Sequence, residues 1–153
     1  MSRDDTLHTG LRVAGLGAAA TTGALIGFGV RRGAPVAVLS AAGDRLRGLP
    51  AFVAPDRSLG PSALLGLAHH LALVIGWALL FALVAVPMRG PRRGAARAVL
   101  AALVATVAVT ADALLPSWLC LSAGVASAPQ RALLALALAA SLLAGMPLAQ
   151  QSE

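Results

Sequence analysis

At 153 residues, 58% hydrophobic and only 12% charged, the chain is far more apolar than an ordinary soluble domain, in which about a quarter of residues are charged. Its net charge of +6 does not make it a nucleic-acid binder. The arginines are scattered through connectors without the interleaved aromatics that stack on bases, and anionic lipid headgroups account for them.

Four stretches, Val13 to Val30, Ala63 to Met88, Ala98 to Leu115 and Ala132 to Ala149, hold a single charged residue, Asp112. A hydrocarbon core about 30 Å thick needs roughly 20 helical residues to cross it. Lipid offers the backbone no hydrogen bonds, so such segments must be helical. The expected fold is all-α, a membrane four-helix bundle forming a single transmembrane domain over 1–153, with the lipid bilayer as its first partner.

Residues 1–10 read as a polar tail and the first helix as 11–30, with Arg12 reaching toward the headgroups. Asp4 and Asp5 ahead of it, and Arg31 and Arg32 after it where a signal sequence would carry a small-residue cleavage site, argue that this segment is retained. Gly15, Ala19, Gly23 and Gly27 recur every fourth residue. That spacing predicts a helix-packing face of the GxxxG type.

The connector after it is the only long one. Its part 34–47 is apolar at the start and charged at the end, and too short to span; it reads as an interfacial or re-entrant amphipathic helix. The second span is expected over 61–88 and the third over 95–115, joined by a short connector bearing Arg89, Arg92, Arg93 and Arg97 that folds them into a hairpin. Pro129, with Ser127 as cap, opens the fourth span, 129–149.

Few side chains in these spans carry chemistry. His69, His70 and Asp112 are the ionisable ones, and an ionisable group inside a membrane calls for a functional explanation and a named partner. Measured from Pro61 and Pro116, His70 and Asp112 differ in depth by a little over one helical turn, so the expected intramembrane polar pair is His70 with Asp112. Trp77 shares the stripe of His70, and His69 faces about 100° away. His8 stands in the N-terminal tail, which leaves no second histidine for a haem, and Cys120 with these residues lacks any regular metal-ligand spacing. No cofactor or metal is therefore expected, and without a nucleophile elbow, phosphate loop or zinc motif, no enzymatic activity.

The run LAHHLALVIGWALLFALVA (Leu67 to Ala85), followed by ADALLP (Ala111 to Pro116), resembles a group of uncharacterised small four-helix bacterial integral membrane proteins. These carry a histidine, a tryptophan seven residues on, and an acidic residue and proline closing the third helix. The matching positions here are His70, Trp77, Asp112 and Pro116. The segment Ala34 to Gly48 is similar to the one after their first helix, with Ser40 and Asp44 where asparagine and histidine are frequent. The resemblance implies the four-helix membrane fold and brings no activity with it.

Three functional classes follow, of which a membrane enzyme ranks last because so few reactive side chains are available. One is a structural or accessory membrane protein, a homo-oligomer or a subunit of a membrane complex. The alternative is a small proton-linked transporter or channel using the His70 and Asp112 pair. All twelve basic residues are arginine; with the wealth of alanine and leucine this suggests a GC-rich bacterial genome and the cytoplasmic (inner) membrane. Counting arginines on the two sides gives a tie. The density of the short connector favours both termini in the cytoplasm.

Overall fold

The structure is a computed structural model of the chain; it describes residues 3–31, 33–48, 60–88, 93–114, 116 and 127–146, with side chains from residue 7 onward and without those of 112 and 113. Five helices follow in order: α1 (Arg3–Val30), α2 (Ala37–Leu46), α3 (Pro61–Ala85), α4 (Arg93–Leu114) and α5 (Ala128–Ala144). The described residues contain no strand.

Three helices have the length and hydropathy of membrane spans, over Leu7–Val30, Pro61–Ala85 and Arg93–Ala111. Between 22% and 33% of their most apolar stretches is buried inside the chain. Leu11, Leu16, Leu65, Leu80, Leu83, Val99, Leu103 and Leu136 point outward. Scattered exposed leucines are normal on a soluble protein, but whole apolar helix faces are not.

The fourth expected span is corrected. α5 has 17 residues, about 26 Å, the lower limit for a crossing, and it stops at Ala144 instead of 149. Gly145 is a poor helix residue and Pro147, in the sequence, has no N–H to continue the ladder. A Cβ on Gly145 would come within 2.7 Å of the Val13 Cα, so the helix ends against α1. Its start agrees with the sequence reading. The Ser127 N–H donates to Gln130 Oε1 at 2.8 Å, one half of a capping box, and Pro129 lies in the first turn.

The polar tail is corrected too. Helix α1 begins at Arg3, and the acidic pair Asp4 and Asp5 favours a helix N-terminus through the macrodipole. Its other end closes on a Schellman turn. Gly33 N–H donates to the Val30 carbonyl and Ala34 N–H to that of Gly29, with Gly33 at φ 70°. Only glycine takes that conformation without steric cost.

Helix α2 falls within the expected connector segment and buries Val38, Leu39, Ser40, Ala42 and Gly43. It lies along the first turns of α3 in the opposite sense, Leu39 against Gly66 and Gly43 against Ser62. A Cβ on either glycine would overlap a backbone carbonyl oxygen of the facing helix. Ser62 Oγ donates to Asp44 Oδ1 and receives a hydrogen bond from Arg47 Nη1 at 3.3 Å, which ties the charged end of α2 to α3. Replacing Ser62 by alanine is expected to lower stability by about 1 kcal/mol. Thermal unfolding in detergent, with tryptophan fluorescence as readout, checks it.

Helix α1 packs between α3 and α5, α4 packs chiefly on α5, and α4 touches α3 only lightly. One core joins α1, α3, α4 and α5 around Val13, Val74, Phe81, Ala105, Leu138 and Leu142. A smaller one, with Leu25, Phe28, Leu39, Ala63 and Leu134, lies where α2 meets the bundle. The α3 to α4 hairpin is fastened at its turn. Pro87 halts α3 by withholding an N–H, and Arg97 Nε donates at 3.0 Å to the Ala85 carbonyl, with Nη2 3.5 Å from that of Met88. A cation on the last carbonyls of a helix is favourable through both hydrogen bond and dipole. Arg97→Gln is expected to cost about 1 kcal/mol in the same unfolding measurement.

Candidate functional site

His70 is the one strongly ionisable side chain wholly inside the bundle among the described residues, at 1% exposure. Its depth follows from the chain. It stands nine residues into α3 from Pro61, while Thr21 stands nine residues before the end of α1 at Val30. Helices α1 and α3 run antiparallel, since Gly10 meets Leu79 while Gly17 meets Val74. Both residues thus lie about 13 Å from the same end of the bundle, near the middle of a hydrocarbon layer of about 30 Å.

At that level His70 Nε2 and Thr21 Oγ1 are hydrogen-bonded at 2.9 Å, and Thr21 has no exposure. Thr21 Oγ1 also donates to the Gly17 carbonyl at 2.7 Å. Ser141 of α5, likewise buried, donates to its own Leu138 carbonyl at 2.7 Å. Gly17 leaves room for this layer: a Cβ there would be 3.4 Å from Ser141 Oγ and 3.1 Å from a Val74 methyl. Helices α1, α3 and α5 therefore contribute to one sealed polar layer, in which Thr21 to His70 is an interhelical bond.

The remaining candidate residues are placed as follows. Asp112 belongs to α4, and its side chain lies outside the described residues, as does Cys120. The Arg97 to Ala85 hydrogen bond fixes a register for its backbone. Asp112 is fifteen residues along α4 from that bond and His70 fifteen residues back along α3, so the two positions share a level. Trp77 is half-buried and packs against the larger core, and His69 is half-buried.

The small-residue ladder takes a different place from the one a packing face within the chain would have. Gly15, Ala19, Gly23 and Gly27 are exposed, and a Cβ on any of the three glycines would meet nothing within 4 Å. Within the chain, α1 packs through Val13, Ala14, Gly17, Thr21, Leu25 and Phe28.

Thr21 was missed in the sequence although a signal was there. Thr21 and Thr22 are the only hydrogen-bonding side chains between Val13 and Val30, and hydroxyls in a span commonly bond a neighbouring helix. Two other hydroxyls, Ser40 Oγ and Thr22 Oγ1, are buried with no partner among the described residues. No three His, Cys, Asp or Glu side chains come together as a metal site among the described residues. Comparison with family models, curated proteins and solved structures finds no match.

Proposed function

We propose that the chain is a multi-pass integral membrane protein with a structural or accessory role, and that it works as a homo-oligomer or as a subunit of a membrane complex rather than as an enzyme. The observation that carries this reading is the sealed polar layer. An imidazole at 1% exposure, bonded to a threonine of zero exposure, serves to hold α1 against α3 in a medium where apolar contact alone gives helices little preference for one another. The outward ladder of Gly15, Ala19, Gly23 and Gly27 supports self-association or docking in a larger assembly, because it allows a foreign helix close approach.

The second reading is a small proton-linked transporter or channel. The position of Asp112 at the level of His70 favours it, since paired ionisable groups at mid-depth mark proton pathways. Proton and solute flux in reconstituted vesicles separates the two. Background flux from the native chain, His70→Ala and Asp112→Asn alike supports the structural role. Flux in the native chain that both variants abolish replaces it with transport.

The bacterial cytoplasmic membrane, both termini inside, and kinship with the small four-helix membrane proteins belong to the same proposal. They rest on the arginine-rich hairpin and on His70, Trp77, Asp112 and Pro116. Labelling of single cysteines placed at position 8 and at position 45, from each side of the membrane, tests the orientation.

A further inference from the structure

The Thr21 oxygen lies 2.7 Å from the Gly17 carbonyl oxygen and 2.9 Å from His70 Nε2. A hydroxyl has one proton and a carbonyl oxygen only accepts, so that proton is committed to Gly17. The Thr21 oxygen must then accept from His70, and Nε2 must carry a hydrogen. We infer that His70 is a single-proton site that gains and loses its proton at Nδ1, while Thr21 keeps Nε2 protonated throughout.

The Thr21 bond is the same for the neutral ring and for the imidazolium, because Nε2 donates in both. Titration therefore leaves the link between α1 and α3 intact. The two ring nitrogens diverge, so Nδ1 points away from Thr21, and the change of charge is presented on the side of His70 turned from that bond.

The charged and titratable groups around this site are few. Helix α1 brings Thr21 and Gly17, both neutral, and α5 brings Ser141; the only charged residue of α5 is Arg131, ten residues from Ser141 and about 15 Å along the helix. Asp44 and Arg45 of α2, with Arg47 just after it, sit at its far end, where Asp44 and Arg47 hold Ser62 eight residues from His70. On α3 itself His69 is adjacent in sequence, about 100° around the helix. Helix α4 has Arg93 and Arg97 at its distant end and Asp112 at the level of His70. Asp112 is the only acidic residue in α3, α4 and α5. The site takes its proton on the ring nitrogen that Thr21 does not hold. The inference rests on hydrogen bonds alone and holds whichever role the bundle serves.

Solid-state NMR of the full chain labelled with 15N-histidine and reconstituted in phosphatidylglycerol and phosphatidylethanolamine vesicles tests it. The His70 signals are identified by their loss in His70→Gln. Between about pH 9 and about pH 4, Nε2 is expected to keep the shift of a protonated nitrogen while Nδ1 alone moves from the unprotonated to the protonated position. In Thr21→Val both tautomers are expected at alkaline pH, and Thr21→Ser should restore the single one. An unprotonated Nε2 in the native chain overturns the inference, as does a His70 spectrum unchanged across the whole pH range. A Thr21→Val spectrum identical to the native one overturns the part assigned to Thr21.

Discussion

Gly66→Ala is expected to lower the stability of the bundle by about 1–3 kcal/mol, the cost of forcing extra atoms into a filled contact. A Cβ at Gly66 would overlap the Leu39 carbonyl oxygen and approach the Gly43 nitrogen to 3.0 Å. Both are backbone atoms, and a backbone cannot turn aside as a flexible side chain does. The strain is relieved only by moving α2 off α3, which also breaks the Asp44 to Ser62 hydrogen bond and opens the small core around Leu39 and Ala63. Gly76→Ala is the control. Position 76 has open space around it, so its stability should stay level or rise, since alanine is the better helix former by about 1 kcal/mol. Unfolding of the two variants side by side in detergent micelles, followed by tryptophan fluorescence, reads the difference. Equal behaviour would mean that α2 does not lie against α3 through Gly66.

Thr21→Val is expected to cost about 1–2 kcal/mol, although valine nearly matches threonine in shape. The loss comes from stranding one donor. With the hydroxyl gone, the His70 Nε2–H has no acceptor on α1 in a layer that water does not reach, whereas the Gly17 carbonyl keeps its helical bond. His70→Leu leaves the Thr21 hydroxyl paired, because it still donates to Gly17. The double variant should therefore be less destabilised than the sum of the two single ones, and a double-mutant cycle in the same unfolding assay measures the coupling. Strict additivity would show that the two side chains do not interact.

How much of this was legible in the sequence depends on what lipid demands of a chain. A span must be apolar along its whole length, so hydropathy located α1, α3 and α4 to within a few residues, apart from the start of α1, where the acidic first turn extends the helix to Arg3. The facing of a span is a different matter. Lipid-facing and core-facing positions are both apolar, so the amphipathic signal that orients a soluble helix is weak here. That is why the regular ladder of Gly15, Ala19, Gly23 and Gly27 suggested a packing face while the chain packs through Val13, Thr21, Leu25 and Phe28. Partner choice was hidden for the same reason. A short connector implied that α3 and α4 pair closely, yet α3 finds its main contacts on α1 and α2, where glycines let backbones approach, a three-dimensional fit that no spacing rule states. His70 stood out because its charge is costly in a membrane. Thr21, its partner on α1, did not, since a threonine is tolerated in a span without one.

The central claim is that α1, α3 and α4 stand in lipid with their apolar outer faces against acyl chains. Spin labels placed singly at Leu16, Leu80 and Leu103, all exposed on those helices, in a Cys120→Ala background and in lipid vesicles, test it through collision rates with oxygen and with a water-soluble nickel chelate. At all three positions the account predicts high oxygen and low chelate accessibility. Ready access of the chelate to all three would contradict it.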